Sequence, residues 1–192
     1  MLRDIIPKIY NYEASSPNNK SEMIFESLQL NDGKVIADIG SGGGYFTIAF
    51  ARKVGNIGMV YAVDSKQCYL DFVMKKAEKE NLMNIVTVKA KNNLSPLPEN
   101  KFDLIFVRNV FHHLKNPENY FRNLKKALKP DGTIAIIDHI PARKFDFINV
   151  FKHFTPVEKI FETMEKAGYQ LLASYNFLQT QTFTAWSCIK NE

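Results

Sequence analysis

Val35-Ile-Ala-Asp38-Ile-Gly40-Ser-Gly42-Gly-Gly44-Tyr-Phe-Thr-Ile-Ala-Phe50 is the stretch that decides the architecture. Its first five residues form a short apolar run fit for a buried strand. The glycines that follow make a tight turn, and from Tyr45 onward the spacing is that of an amphipathic helix. Glycines at such a junction let the backbone turn sharply and let a ligand approach where a Cβ would stand in the way. A nucleotide-type ligand is expected to lie across the turn.

Charge narrows the choice of nucleotide. A dinucleotide sets its pyrophosphate on the helix N-terminus and reads as G-x-G-x-x-G. Here the third position after Gly42 is Tyr45, and Asp38, two residues before Gly40, would repel a pyrophosphate. The same acid suits S-adenosylmethionine, which has no phosphate and carries an ammonium group beside its sulfonium. Asp64 closes the run Val60-Tyr-Ala-Val63 and sits where an acid accepts from both ribose hydroxyls, which serves either cofactor.

Outward from this unit, β-branched runs alternate with helical patterns, as a parallel sheet with crossover helices requires. Strands are expected at Val35 to Ile39, Val60 to Val63, Val86 to Ala90, Leu104 to Val107 and Thr133 to Asp138. Their near-continuous apolar character means that both sheet faces are covered. Helices are expected at Asn19 to Leu28, from a Ser65 cap to about Asn81, and after an Asn116 cap with Pro117 in the first turn. That last helix should end in a Lys129-Pro130-Asp131-Gly132 turn. Thr155-Pro156-Val157-Glu158 has the form of a capping box, opening a helix that Gly168 ends. Tyr169 to Phe177 and Thr182 to Ile189 are joined too briefly for anything but an antiparallel pair.

The 192 residues carry 25 Lys and Arg against 20 Asp and Glu, a net charge of +5, with 45% hydrophobic residues. That composition excludes a disordered tail and fits one domain, residues 1–192, with 1–30 an N-terminal helical or lid segment and 33–189 the cofactor-binding core. Basic residues interleave with acids, as in Lys75, Lys76, Glu78, Lys79 and Glu80, so nucleic acid is an improbable partner. Cys68 and Cys188 form no metal or disulfide pattern, and no metal is expected. Without a signal-like start or an apolar run of spanning length, the chain is expected to be cytoplasmic, as a monomer or homodimer.

Five segments together resemble the class I S-adenosylmethionine-dependent methyltransferases. They are ADIGSGGG from Ala37, YAVDSK from Tyr61, the stretch from Leu97 to Ile105, Arg108-Asn-Val-Phe-His-His-Leu114, and Leu128 to Asp138. The small-molecule branch that includes ubiquinone and menaquinone biosynthesis enzymes is the nearest in character. The resemblance implies an α/β, Rossmann-like three-layer sandwich, with a mostly parallel seven-stranded sheet ending in an antiparallel hairpin. It also implies that Asp38, Gly40, Ser41, Gly42 and Gly44 hold the methionine part of the cofactor, and that Asp64 and Ser65 meet the ribose. The acid usual after strand three is absent, leaving Asn92 or Asn93 for the adenine amino group. Arg108 and Asn109 run beneath the cofactor.

Methyl transfer is an in-line displacement at an activated carbon, so the protein mainly aligns the nucleophile, excludes water and supplies any base. His112 or His113 is placed to be that base, since a neutral imidazole accepts a proton near pH 7. The acceptor is a small molecule, met by residues 1 to 20 with Tyr10 and Tyr12, and by 140 to 155 with Arg143, Phe145, Phe147, Phe151, His153 and Phe154. The alternative is a cofactor-binding regulatory or scaffold protein without catalysis.

Overall fold

The computed structural model describes residues 4–91, 94–140 and 154–189. Seven strands form one sheet: β1 Val35–Ile39, β2 Met59–Asp64, β3 Ile85–Lys89, β4 Phe102–Arg108, β5 Leu128–His139, β6 Tyr169–Tyr175 and β7 Gln181–Cys188. They lie in the order β3-β2-β1-β4-β5-β7-β6. β1 to β5 pair in parallel, and β7 enters antiparallel between β5 and β6. The described helices are α1 Ile5–Ser15, α2 Ser21–Ser27, α3 Tyr45–Lys53, α4 Gln67–Lys79, α5 Pro117–Leu124 and α6 Val157–Lys166. None is long and apolar enough to cross a membrane.

Alternation along each strand divides the core in two, giving the expected three layers. Ile36, Leu104, Phe106, Ala135 and Ile137 face one side, against Phe25, Phe46, Phe50, Leu70 and Val73 of α2, α3 and α4. Ala37, Ile39, Ile105, Val107, Ile134 and Ile136 face the other, against Phe121, Leu124, Ile160 and Met164 of α5 and α6. Phe106 lies 4.9 Å from Phe46 and 5.1 Å from Phe50, ring centre to ring centre, so the first α/β unit is pinned to β4 by aromatic contact. On the second side the fully buried Trp186 of β7 stands edge-on to Phe161 of α6 at 5.2 Å.

The helix ends hold both confirmations and corrections. Asn116 caps α5, its Oδ1 accepting from Asn119 N at 3.2 Å with Pro117 at the first position. Gly168, at φ +86°, follows the end of α6 as expected. Thr155 and Ser65, however, do not cap. The hydroxyl of Thr155 donates instead to the buried Asp138 at 2.8 Å, a charged acceptor that outweighs a helix N–H, and Pro156 occupies the cap position. Lys66 is the cap residue of α4, and it is the Asp64 carboxylate that accepts from Lys66 N.

Residues 129–132 also depart from expectation, remaining inside β5 rather than forming a separate turn. Pairing with β4 shifts from Phe102↔Leu128 to Leu104↔Thr133, so the extra residues bulge opposite Asp103. That carboxylate accepts from Val35 N, Lys34 Nζ and Lys129 Nζ, which hold it below its usual range and fasten the bulge to two strands. At the N-terminus, within the segment expected to be helical or a lid, α1 forms an eleven-residue helix ahead of α2. Arg143, Phe145, Phe147, Phe151 and His153 lie outside the described residues, as do Asn92 and Asn93.

Candidate functional site

The sequence-derived site residues that are described gather at the carboxyl edge of β1, β2 and β4, the edge where open α/β sheets bind ligands. The chain leaves β1 at Ile39 and is drawn across to β2, with Gly40 N and Ser41 N both donating to Val63 O at 2.8 and 3.0 Å. Gly40, Gly42 and Gly44 all have positive φ. Gly40 has a second reason to lack a side chain, since a Cβ there would stand 2.2 Å from Val110 Cγ2 of the segment after β4. The turn after β1 and the segment after β4 therefore touch only because Gly40 has no side chain.

Asp64 ties the turn down from the other side. Its Oδ2 accepts from Gly42 N at 3.0 Å and its Oδ1 from Lys66 N at 2.9 Å, which fixes the carboxylate while leaving each oxygen a further lone pair. Ser65 beside it is exposed. Asp38 lies beneath the turn, 3% exposed, with Oδ2 accepting from Thr47 Oγ1 of α3 at 2.5 Å. Burial pushes its carboxyl up to about 6, with the Asp64 charge adding to the rise and Thr47 and Arg108 opposing it.

Arg108 ends β4 and is partly buried, its guanidinium 5.2 Å from the Phe46 ring centre. Burial lowers it to about 10 against the opposing pull of Asp38 and Glu13. Nη2 donates to Asn19 Oδ1 at 2.8 Å and to Gln181 Oε1 at 3.4 Å. Asn109 follows in a left-handed conformation, φ +55°, with its N–H on Ile137 O and its Oδ1 accepting from Gln181 Nε2 at 2.5 Å. Gln181 thus joins β7 to Arg108 and Asn109 at the end of β4.

The next turn holds the histidines. Phe111–His113 form a single 3-10 turn, and Asp138, fully buried near the end of β5, engages it twice. Asp138 Oδ2 accepts from His112 N at 3.0 Å and from Thr155 Oγ1 at 2.8 Å, while Oδ1 meets His112 Nδ1 at 2.7 Å. A carboxylate there calls for the proton on Nδ1, which gives Nε2 the lone pair. The side chain of His112 is 5% exposed. Its ring centre is 4.0 Å from His113 and 6.3 Å from His139, so three histidines meet at this edge. Between the two candidates for a base, His112 is the one held by a buried acid.

Asp138, Thr155, Gln181, Thr47 and Asn19 escaped the reading of the sequence. Asp138 alone left a signal, as the one acid that ends the apolar run Ile134 to Ile137 on the ligand-bearing edge.

The residues present fit an amino-acid-bearing nucleotide. Ser41 Oγ and Arg108 Nε are buried without a hydrogen-bond partner, a condition that costs about 1–3 kcal/mol each and is relieved by a ligand with both donors and acceptors. The buried Asp38 carboxylate asks for a cation and rejects a phosphate.

Comparison with known proteins identifies the family and the fold. Residues 37–136, just over half of the chain, match the family model described as a methyltransferase domain. The (S)-coclaurine N-methyltransferase of Thalictrum flavum is 28% identical over 159 residues, 81% of this chain and 42% of the relative. The demethylmenaquinone methyltransferase of Lactobacillus johnsonii is 26% identical over 148 residues, 74% of this chain and 61% of the relative. The chain thus spans about two-fifths to three-fifths of the length of these relatives. A SAM-dependent methyltransferase from Aquifex aeolicus shares the fold, with a TM-score of 0.83 at 24% identity over 95% of this chain and 98% of that one.

Proposed function

The chain belongs to the methyltransferase domain family, and from that premise we propose that it transfers the methyl group of S-adenosylmethionine to a small-molecule acceptor. The observation that carries the proposal is the buried Asp38 beneath a phosphate-averse glycine turn. S-adenosylmethionine, when bound, supplies a methyl carbon already activated by positive sulfur.

Asp38, Ser41 and the Gly40, Gly42 and Gly44 backbone hold its amino-acid end, and Asp64, next to Ser65, takes the ribose hydroxyls on its unused lone pairs. Asn92 or Asn93 receives the adenine amino group. Arg108 and Asn109 form the floor, stiffened by Gln181.

His112 serves as general base toward the acceptor. Asp138 fixes the ring so that Nε2 accepts, and its buried charge stabilises the imidazolium that results. Thr155 and the His112 N–H keep that carboxylate from turning away. The protein does this as a monomer or homodimer in the cytoplasm.

Calorimetry should give micromolar binding of S-adenosylmethionine and S-adenosylhomocysteine, and labelled methyl should pass from the former into a cell-extract metabolite pool. Binding without transfer would reduce the protein to a cofactor-binding module. Absence of both would sink the proposal.

A further inference from the structure

Pro7, Asn11 and Ala14 lie one turn apart on the inner face of α1, with the half-exposed Tyr10 beside them, and this face rests on the glycine turn. A Cβ at Gly43 would stand 2.1 Å from Pro7 O and 2.4 Å from Asn11 Oδ1, and one at Gly42 would stand 3.3 Å from the Tyr10 ring. Tyr10 continues outward to Tyr69 of α4, edge to face at 5.9 Å. The far end of α1 is fastened by Ser21 Oγ donating to Ala14 O at 3.0 Å and by Arg108 donating to Asn19. Gly43 is therefore bare because a helix lies on it, and α1 is a wall of the turn rather than a distant cover.

Within that wall Asn11 Oδ1 is buried and has no hydrogen-bond partner. An apolar side chain of the same shape would fill the space without leaving an acceptor unpaired. Ser41 Oγ in the turn after β1 and Arg108 Nε at the end of the neighbouring β4 share the condition, on the same sheet edge. They differ in kind: Asn11 Oδ1 can only accept, Arg108 Nε can only donate, and Ser41 Oγ can do either. With the Asp38 carboxylate on the accepting side, the set complements a zwitterion, with ammonium toward Asn11 and Asp38 and carboxylate toward Arg108.

We infer that Asn11 of α1 is a cofactor-positioning residue whose carboxamide oxygen accepts from the ammonium group of the cofactor's amino-acid end. This inference rests on the assignment of S-adenosylmethionine as cofactor. It moves α1 from the acceptor side of the site, where residues 1 to 20 were expected, to the cofactor side.

The test compares two ligands by calorimetry: S-adenosylhomocysteine, which has the amino-acid end, and 5′-methylthioadenosine, which lacks it. Asn11→Leu is expected to weaken S-adenosylhomocysteine by about 10- to 30-fold, the loss of one hydrogen bond to a charged group, and to leave methylthioadenosine within about twofold. Asn11→Asp keeps an acceptor and is expected to bind S-adenosylhomocysteine within about threefold of the parent chain. Thermal melting of the unliganded variants separates binding from folding, with Asn11→Leu expected to melt no lower than the parent. Equal weakening of both ligands by Asn11→Leu, or weakening of neither, would overturn the role of Asn11 while leaving the cofactor assignment standing. Failure of the parent chain to bind S-adenosylhomocysteine would overturn both.

Discussion

The turn after β1 and the segment after β4 lie side by side, touching through Gly40 and Val110, yet they are built on opposite principles. The first is nearly all backbone: its carboxylate Asp38 is buried at an electrostatic disadvantage, and Ser41 lacks a partner. The second is well supplied: Asp138 takes three donors, and Asn109 is matched by Gln181. An incomplete site binds, because a ligand finishes it. A finished one does chemistry, because its groups need no rearrangement when charge moves.

Asp138→Asn should break the finished side most severely. The amide offers His112 Nδ1 an N–H as readily as an oxygen, so the tautomer is no longer fixed, and turnover should fall by about 10²–10³-fold. Calorimetric affinity for S-adenosylhomocysteine should stay within a few-fold, and a matching loss of affinity would place Asp138 in binding instead. Gly40→Ala attacks the seam between the two regions, forcing a left-handed alanine against Val110. It should cost about 2–3 kcal/mol in denaturant unfolding.

The incomplete side can be sharpened through pH. Because the folded Asp38 carboxyl sits near 6 and its ordinary value is 3.8, the folded chain holds that proton more tightly than the unfolded one. Stability of the unliganded protein should therefore decline as pH rises from about 4 to about 6, then level off. Cofactor affinity should run the other way, falling up to tenfold per pH unit below about 6 as the carboxylate is neutralised. Asp38→Asn should remove both trends, and persistence of either in that variant would assign it to another group. Smallest is Gln181→Leu, which leaves Asn109 Oδ1 and Arg108 each short of a partner and should cost about 1 kcal/mol of stability. Turnover should suffer more than affinity if Gln181 stiffens the floor.

The same contrast explains what could be read in advance. The turn after β1 is local, so a strand, its glycines and an acid two residues upstream announce themselves within a dozen residues. The five parallel strands were equally legible as short apolar runs, and the final hairpin as two strand-like runs with a brief connection. The histidine site is assembled from three distant segments. Thr155 looked like a helix cap because local spacing cannot show that a buried carboxylate from β5 will take its hydroxyl. The bounds and the facing of α1 within the N-terminal segment were hidden for a related reason. Its exposed side carries Ile5, Ile6 and Ile9, whereas its inner side holds the buried Pro7 and the half-buried Asn11, so apolar spacing points the wrong way.

Trp186 lends the molecule an optical handle. It is the sole tryptophan, fully buried, with its indole N–H on Thr184 and its ring against Phe161 of α6, on the sheet face opposite α3. Its emission registers whether β7 and α6 are in place and is remote from the glycine turn. Fluorescence and calorimetry on one sample therefore watch separate halves of the protein, one following the scaffold and the other the ligand.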